Sequence, residues 1–425
     1  MKNQNTQKKF WKFFSIFNFC LIFSGSILIA QEIDSKKILL GEKIDQLMDL
    51  GIQKNAFPGA QVIIYKKNKV QLHKAYGFQT YDSLVRVEKN QLYDLASLTK
   101  VLASTLAFMK LYELYNIDLD QKVSTYIPLL KRTNKKNTTF RQALSHSAGW
   151  APYIAHQNLV LKKRGGFKNR TVSLIQNKKY PIQISNSLFI HKNYSKKITR
   201  RIKKTKLTTL GDYKYSGLWF FLLPKMVENL TNLSFNEFLN FHFYKPLELE
   251  RLTFLPTQHF PKNEIVPTEI DITFRKELVQ GWVHDEAAAM MGGVSGNAGL
   301  FANAESLTPI IQLLLQKGVY KGKKYLDAET LRVFTQQAYP NSNNRRGLGF
   351  DKPSLQNDSD STYPSILASP TSFGHSGFTG TFIWVDPQNE CFIIFLSNRV
   401  YPSREYRALY DLNIRGQLLD YAIQF

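Results

Sequence analysis

The sequence predicts an α+β fold in which both chain ends build one antiparallel sheet, flanked by helices, with a mainly helical lobe inserted between them. Two apolar hairpins support this prediction, one at residues 60–77 and one within "TGTFIWVDPQNECFIIFLSN". Helical spacing dominates the chain between them. Because both hairpins must bury their apolar faces, one shared sheet is the simplest arrangement. A ligand cleft is expected between the sheet and the helical lobe.

The elements can be assigned in chain order. A first helix has apolar residues at helical intervals, and a second is predicted over residues 97–114. Helical or irregular segments follow to about residue 335, and a last helix is predicted over residues 406–421. The sheet lobe then comprises about residues 31–90 and 340–425. The helical lobe comprises about residues 91–339, with a basic insertion at 160–208.

The first thirty residues predict export. A positively charged start is followed by eighteen uncharged residues, 13–30, which is the layout of a secretory signal with cleavage after Ala30. The same eighteen residues are long enough to act as an uncleaved inner-membrane anchor. Either alternative places residues 31–425 outside the cytoplasm, in the periplasm or secreted.

The chain offers few ligands for a metal or a redox group. Its two cysteines are Cys20, inside the apolar N-terminal stretch, and Cys391, so no intrachain disulfide framework or cysteine-based zinc site is expected. No His, Asp or Glu cluster has metal-site spacing. We therefore expect neither a metal nor another cofactor.

Positive charge is concentrated in one part of the chain. The formal net charge is +23, and no acidic residue occurs between Asp120 and Asp212. Fifteen lysines and arginines lie between Lys162 and Lys206. This segment is either a binding surface for a polyanion or a solvated basic insertion. It lacks the interleaved aromatics of single-strand binders, so we expect no nucleic-acid partner.

The stretch "LYDLASLTK" contains a candidate nucleophile. Ser97 and Lys100 are three residues apart on a predicted helix, so the lysine amine can contact the serine hydroxyl. The backbone N–H of Ser97 would also lie at the positive helix N-terminus, where it can stabilise an oxyanion. The alternative is a helix-capping serine followed by a surface lysine.

Two later stretches add the remaining parts of an acyl-transfer site. "YKYSG" places Tyr215 in a loop before an apolar helix, where a tyrosine beside a lysine can relay a proton. "FGHSGFTG" places His375, Ser376 and Gly377 on a predicted edge strand that a substrate backbone can lie along. The N–H of the next residue, Phe378, is a candidate second oxyanion donor.

Together these residues resemble the serine β-lactamase and penicillin-binding protein superfamily, in particular its class C-like branch of β-lactamase-related hydrolases. The resemblance extends over about residues 40–415. The stretches that support it occur in family order: "FPGAQVIIYKKNKV", "LYDLASLTK", "LSHSAGW", "YKYSG", "VHDEAAAMMGGVSGNAGLFA", "RRGLGFDKP", "FGHSGFTGTFIWVDP" and "FLSNRVYPSREY".

The resemblance implies a β-lactamase/transpeptidase-like fold and an acyl-enzyme on Ser97. Lys100 would deprotonate Ser97 or share that proton with Tyr215, and the N–H groups of Ser97 and Phe378 would hold the carbonyl oxygen. His375, Ser376 and Gly377 would stand at the family's Lys-Thr-Gly strand. The implied substrates are D-amino-acid peptides of peptidoglycan, with β-lactams or small esters as alternatives.

One residue departs from the family pattern. Gly217 stands where the family has Asn or Asp, a side chain that contacts the substrate amide and orders the lysine. This departure supports a second hypothesis, a catalytically impaired protein that binds cell-wall peptide. Three other features are interpreted as structural: His146 pins a turn, Asn297 belongs to a loop, and His284 with Asp285 caps a helix start. The alternative for His284 and Asp285 is that they line the cleft.

Overall fold

The computed structural model describes residues 35–355 and 362–425 and confirms the predicted α+β fold. Its main sheet has five antiparallel strands in the order β13-β14-β15-β1-β2, so both chain ends contribute. These strands are β1 (Gly59–Lys66), β2 (Lys69–Gly77), β13 (Phe373–Ser376), β14 (Phe382–Asp386) and β15 (Cys391–Ser397). The predicted export segment, residues 1–30, lies outside the described residues. Among the described helices, none has both the length and the apolar character needed to span a bilayer.

The strands β1, β14 and β15 are buried on both faces, which explains why they read as largely apolar runs. On one face, Val62 and Ile64 of β1 pack with the first helix, α1 (residues 35–53), and with the last helix, α13 (Ile414–Gln424). On the other face, Ile63 belongs to the larger core that extends into the helical lobe. Strand β1 therefore packs against the terminal helices on one face and against the core of the helical lobe on the other.

Among the described residues, ten short strands lie in smaller sheets between the two halves of the main sheet. Strands β3, β10 and β7 form a three-stranded sheet beside the predicted nucleophile. The bounds are β3 (Tyr93–Asp94), β4 (Val172–Ser173), β5 (Ile182–Gln183), β6 (Phe189–Ile190), β7 (Leu252–Phe254), β8 (Glu269–Asp271), β9 (Glu277–Val279), β10 (Leu300–Ala302), β11 (Val319–Tyr320) and β12 (Lys323–Lys324).

Helices make up most of the remaining lobe. The α-helices between α1 and α13 are α2 (Leu106–Tyr115), α3 (Val123–Tyr126), α4 (Phe140–Leu144), α5 (His156–Val160), α6 (Tyr194–Lys204), α7 (Leu223–Thr231), α8 (Phe235–Leu239), α9 (Glu286–Met290), α10 (Ala304–Leu315), α11 (Ala328–Thr335) and α12 (Ala408–Asp411). Two π-helical turns, Lys100–Thr105 and Asn240–Tyr244, and short 3₁₀ turns at Pro128–Leu130, Pro256–Gln258 and Lys262–Glu264 complete the set.

The prediction of one last helix over residues 406–421 is wrong. The segment forms two helices, α12 and α13, because Asn413 between them adopts a left-handed conformation with φ of +46°. Asparagine tolerates this conformation better than most residues. The break turns α13 so that Ile414 and Leu418 pack against the sheet.

Candidate active site

Ser97 lies at a turn between β3 and the helix that carries Lys100. The turn is held by Asp94, whose carboxylate accepts hydrogen bonds from the N–H of Ala96 at 2.8 Å and of His284 at 2.6 Å. Ala96 has a φ of +45°, a strained value for a residue with a side chain. Backbone strain of this kind accompanies a sharp strand-to-helix turn and exposes the residue that follows it.

Lys100 is buried, not a surface lysine. It is 3% exposed, and its Nζ donates to Ser97 Oγ at 2.8 Å and to the backbone carbonyl of Asn297 at 2.9 Å. The lysine is the first residue of the π-helical turn Lys100–Thr105, and such turns are frequent at functional sites. The structure therefore brings the predicted serine and lysine together in hydrogen-bond contact.

Tyr215 lies near the same lysine and lines the same cleft. The ring centroid of Tyr215 lies 5.6 Å from Lys100 Nζ. His146 packs on the tyrosine with ring centroids 4.4 Å apart, and its Nδ1 accepts a hydrogen bond from the N–H of Ser216 at 3.2 Å. His146 has a φ of +59° and so pins a turn, as the sequence predicted. That turn also fixes the loop carrying Tyr215.

His375 and Ser376 lie on β13, at the edge of the main sheet, but Gly377 lies just beyond the strand. The prediction of Gly377 within the strand was wrong by one residue, because the chain turns there to pack against the serine turn. A Cβ on Gly377 would lie 2.6 Å from the carbonyl oxygen of Leu95. Only glycine permits this close approach.

The turn after β13 is tied to the serine turn at two points. Thr379 Oγ1 donates to the carbonyl of Asp94 at 2.7 Å, and Thr381 Oγ1 donates to the carbonyl of Leu95 at 3.0 Å. Phe378, between them, lies with Ser97 in the wall of one cleft. Neither the Ser97 N–H nor the Phe378 N–H donates a recorded hydrogen bond to a described residue. Both amides are thus free to bind a carbonyl oxygen.

His375 is buried below Tyr215, and their ring centroids are 6.1 Å apart. Its Nδ1 donates to the carbonyl of Ser376 at 2.8 Å, which leaves Nε2 as an acceptor. Burial, followed by the charges of Arg346 and Lys100, lowers the pKa of His375 to about 3. His375 is therefore uncharged at neutral pH. It differs in this from the lysine of the Lys-Thr-Gly strand, at whose position the sequence places it.

A buried arginine supplies positive charge behind the site. The Arg346 guanidinium carbon lies 5.3 Å from the Tyr215 ring centroid and 5.4 Å from that of Tyr213. Its Nε lies 3.3 Å from the carboxylate of Asp351, and Arg345 Nε contacts the same carboxylate at 3.1 Å. Burial raises the pKa of the Asp351 carboxyl, but the charges of Arg346 and Arg345 outweigh burial and lower it below the usual value. The ion pair stays charged in the interior.

The cleft in front of Ser97 has a volume of about 460 Å³, room for a peptide-sized ligand. One part of its wall is apolar, formed by Pro152, Tyr153, Ile154, Leu218, Phe221, Ala287, Ala298 and Phe378. The polar part includes His284, Asp285, Glu286 and Arg404. Asp285 also caps α9 by accepting from the N–H of Ala288 at 2.7 Å, so the predicted helix-start residues line the cleft as well.

One side of the cleft is fixed by an ion-pair network. Arg404 pairs with Glu269 at 2.5 Å and with Glu286 at 3.0 Å, and Glu269 lies 2.7 Å from His284 Nε2. Burial opposes ionisation of Glu269, but the bonds from Arg404 and His284 prevail and lower its pKa to about 2. The His284 ring in turn stacks on Phe378, with centroids 5.7 Å apart.

Gly217 leaves open space beside the lysine. A Cβ placed on it would have Lys100 Cε at 3.9 Å as its nearest neighbour, an ordinary contact distance. No positive φ requires glycine here. The structure thus has room for a Cβ at this position, and the backbone does not require glycine here.

Two residues of this site were missed in the sequence. The carbonyl of Asn297 binds Lys100, whereas the sequence indicates only a structural role for its loop. Arg346 lies beside Tyr215, and the pattern "RRGLGFDKP" by itself predicts no role for it. The two adjacent arginines, followed by Asp351, were the available signal. Among residues 35–355 and 362–425, no group of His, Cys, Asp or Glu is arranged to hold a metal ion.

Comparison with known sequences identifies a matching family and relatives. The family model named Beta-lactamase matches residues 42–415. A Salmonella gallinarum protein, provisionally named D-alanyl-D-alanine carboxypeptidase, is 30% identical over 372 residues, covering 81% of this chain and 79% of the relative. A protein of Salmonella heidelberg with the same name matches with the same identity and coverage.

Solved structures share the fold at low sequence identity. A penicillin-binding protein homolog from Caulobacter crescentus aligns with a TM-score of 0.64 at 16% identity, over 90% of this chain and 97% of that one. A β-lactamase/D-alanine carboxypeptidase from Pseudomonas syringae aligns with a TM-score of 0.63 at 15% identity, over 91% and 99% of the two chains.

Proposed function

This chain is a serine hydrolase of the beta-lactamase family, and we propose that it cleaves an amide or ester through an acyl-enzyme on Ser97. The observation that carries the proposal is the 2.8 Å contact of Lys100 Nζ with Ser97 Oγ at the wall of the cleft. A lysine at this distance can accept the hydroxyl proton as the oxygen attacks.

The reaction then proceeds in two halves. Ser97 Oγ bonds to the substrate carbonyl carbon while its proton passes to Lys100, directly or with Tyr215, and the carbonyl oxygen gains negative charge. The N–H groups of Ser97 and Phe378 stabilise that oxyanion. The leaving amine or alcohol takes the proton, and water then releases the acid from Ser97 by the reverse sequence.

The proposed natural substrate is a peptidoglycan peptide that ends in a D-amino acid. The name of the Salmonella relatives supports this class, and a cleft of about 460 Å³ suits a short peptide. β-Lactams and small esters present the same carbonyl to the same serine, so slower turnover of either is consistent with the proposal. Such a substrate also requires export, which residues 1–30 would direct.

The decisive experiment is covalent labelling. The purified protein is incubated with a fluorescent penicillin and, separately, with a fluorophosphonate, and the adduct is located by peptide mass mapping. We expect labelling at Ser97, none in Ser97→Ala, and full labelling in Ser187→Ala, a matched change at an exposed serine. No adduct with either probe would contradict the acyl-enzyme.

Gly217 favours a second candidate, a cell-wall peptide-binding protein with impaired turnover. The open space next to Lys100 removes the side chain that orders the lysine in the family. Affinity for a D-Ala-D-Ala peptide that is unchanged in Ser97→Ala, together with no release of D-alanine by the wild type, would select this candidate. Release of D-alanine would exclude it.

A further inference from the structure

The basic insertion (residues 160–208) carries charge that the described chain does not neutralise. It contains fifteen lysines and arginines and no acidic residue. Among the ion pairs between described residues, none involves a residue of this segment. The nearby carboxylate of Glu277 instead accepts from the N–H of Asn186 and the hydroxyl of Ser187. Unpaired cations at this density repel one another unless a polyanion is present.

The cations are brought together by the fold. Burial lowers the pKa of His191, and the positive charges of Lys197, Lys192, Arg170 and Lys179 lower it further. Lys197 Nζ also donates to the carbonyl of Arg170 at 2.8 Å, and the N–H of Lys192 donates to the carbonyl of Lys179 at 3.0 Å. Four residues from three segments thus form one positive surface.

An apolar tip lies beside this surface. Leu174 is 68% exposed and Ile175 is 72% exposed, and they are followed by the exposed Lys178 and Lys179. A water-soluble polyanion offers no apolar surface against which two adjacent exposed aliphatic side chains could be buried. An apolar tip flanked by lysines instead matches a bilayer interface, where acyl chains lie below anionic headgroups.

Helix α6 contributes charge to this surface but no exposed apolar side chains. Its apolar residues Tyr194, Ile198 and Ile202 are buried in the protein core, while Lys196 and Arg200 are exposed. The helix therefore presents charge to headgroups, and the apolar contact is left to the tip at Leu174 and Ile175.

We propose that the basic insertion docks this protein onto an anionic lipid surface, with its lysines and arginines on lipid phosphates and Leu174 and Ile175 entering the interface. Helix α6 of this insertion adjoins the cleft, because its Arg201 lies 3.1 Å from the ring of His156, a residue of the cleft wall. Docking would hold the cleft close to the lipid surface, whatever bond the serine cleaves.

Vesicle co-sedimentation of the full-length protein tests the proposal. Any contribution of residues 1–34 is then common to all variants. The probes are vesicles of phosphatidylcholine with 30% phosphatidylglycerol, and vesicles of phosphatidylcholine alone. We expect at least tenfold tighter binding to the anionic vesicles, weakening with salt. Lys178→Glu with Lys179→Glu should weaken anionic binding at least tenfold, and Leu174→Ser with Ile175→Ser at least threefold.

Matched controls use exposed residues elsewhere on the surface. Lys321→Glu with Lys323→Glu reverses two exposed lysines of the β11–β12 hairpin, and Leu84→Ser changes a leucine that is 82% exposed. Both controls should bind anionic vesicles as the wild type does. Equal effects of control and test variants would overturn the docking surface.

A second measurement separates lipid from a soluble polyanion. Ile175→Cys in a Cys20→Ser background is labelled with an environment-sensitive fluorophore; the other cysteine, Cys391, is buried. Anionic vesicles should shift the emission to shorter wavelength, and heparin or duplex DNA should not. The lipid proposal would be overturned if the protein bound heparin and anionic vesicles with equal affinity and the fluorophore emission did not shift on the vesicles. A soluble polyanion would then be the ligand of the basic insertion. Labelling of Ser97 by penicillin is unaffected by either outcome.

Discussion

The side-chain nitrogen of Lys100 donates to the backbone carbonyl of Asn297 at 2.9 Å while it contacts Ser97 at 2.8 Å. The Asn297 loop is itself fixed, because Ser104 Oγ donates to the adjacent carbonyl of Gly296 at 2.7 Å. The lysine is thus held between a rigid loop and the serine. Such pre-organisation favours a chemical role over a structural one, since a merely structural lysine need not contact the hydroxyl.

Replacing Lys100 tests that role. Lys100→Arg supplies a fixed positive charge that cannot accept a proton, and Lys100→Met supplies neither a charge nor a proton acceptor. We expect both variants to acylate with penicillin at least a hundredfold more slowly than the wild type, the usual scale of lost general-base catalysis. The measurement is the rate of adduct formation by mass spectrometry, with far-UV circular dichroism to confirm folding. An Arg variant within threefold of the wild-type rate would show that only charge matters.

Filling the space at Gly217 should improve reaction with β-lactams. Because the nearest atom to a Cβ is Lys100 Cε at 3.9 Å, Gly217→Asn fits with a stability change within about 0.5 kcal/mol. One hydrogen bond from the new amide to the substrate, worth about 1 kcal/mol, corresponds to roughly fivefold faster acylation. Gly217→Ala is the control, because it fills the space without an amide and should react like the wild type.

Gly377 should tolerate no side chain. A Cβ there would lie 2.0 Å from Thr381 Oγ1 and 2.6 Å from the carbonyl of Leu95. Gly377→Ala should therefore cost about 1–3 kcal/mol of stability and, by displacing the Phe378 N–H, lower the acylation rate at least a hundredfold. Urea unfolding and adduct kinetics measure the two effects.

Gly41→Ala is the matched control for this change. Gly41 lies in helix α1, where the only described atom within 4 Å of a Cβ is Lys74 Nζ at 3.9 Å. Alanine in a helix should stabilise the protein by about 0.5–1 kcal/mol without affecting acylation. Equal behaviour of the two alanine variants would contradict the packing argument for Gly377.

Local patterns predicted much of this molecule. The three-residue spacing of Ser97 and Lys100 predicts their contact, and the apolar runs of β1 and β15 predict two buried strands. These features depend on neighbours in sequence, so periodicity captures them.

What the sequence did not predict depends on distant contacts. The partner of Lys100 in the Asn297 loop is a backbone carbonyl, which any residue would supply, so no residue type marks it. Arg346 gains its place beside Tyr215 only once the sheet and helical lobes meet. The left-handed Asn413 that splits the last helix is a single dihedral angle, and the apolar spacing around it remains helical.

The buried His375 should make the protein acid-sensitive. Burial and the charges of Arg346 and Lys100, opposed by Asp351, lower its folded-state pKa to about 3, against roughly 6.5 in the unfolded chain. Above pH 6.5 the His375 ring is neutral in both the folded and the unfolded chain. Proton binding then takes nothing away from the stability of the folded protein. As pH falls from 6.5 towards 3, only the unfolded chain binds it, so stability is lost at about 1.4 kcal/mol per pH unit from this residue.

His375→Asn isolates this contribution, because asparagine does not titrate. Urea unfolding from pH 8 to 4.5 should show a constant difference between wild type and variant above pH 7. Below pH 6.5 the wild type should lose stability faster, by about 1.4 kcal/mol per unit. If the stability curves of wild type and variant were parallel through the whole range, His375 would bind a proton equally well in the folded and the unfolded chain. His146, whose pKa burial also lowers well below the usual value, should behave in the same direction.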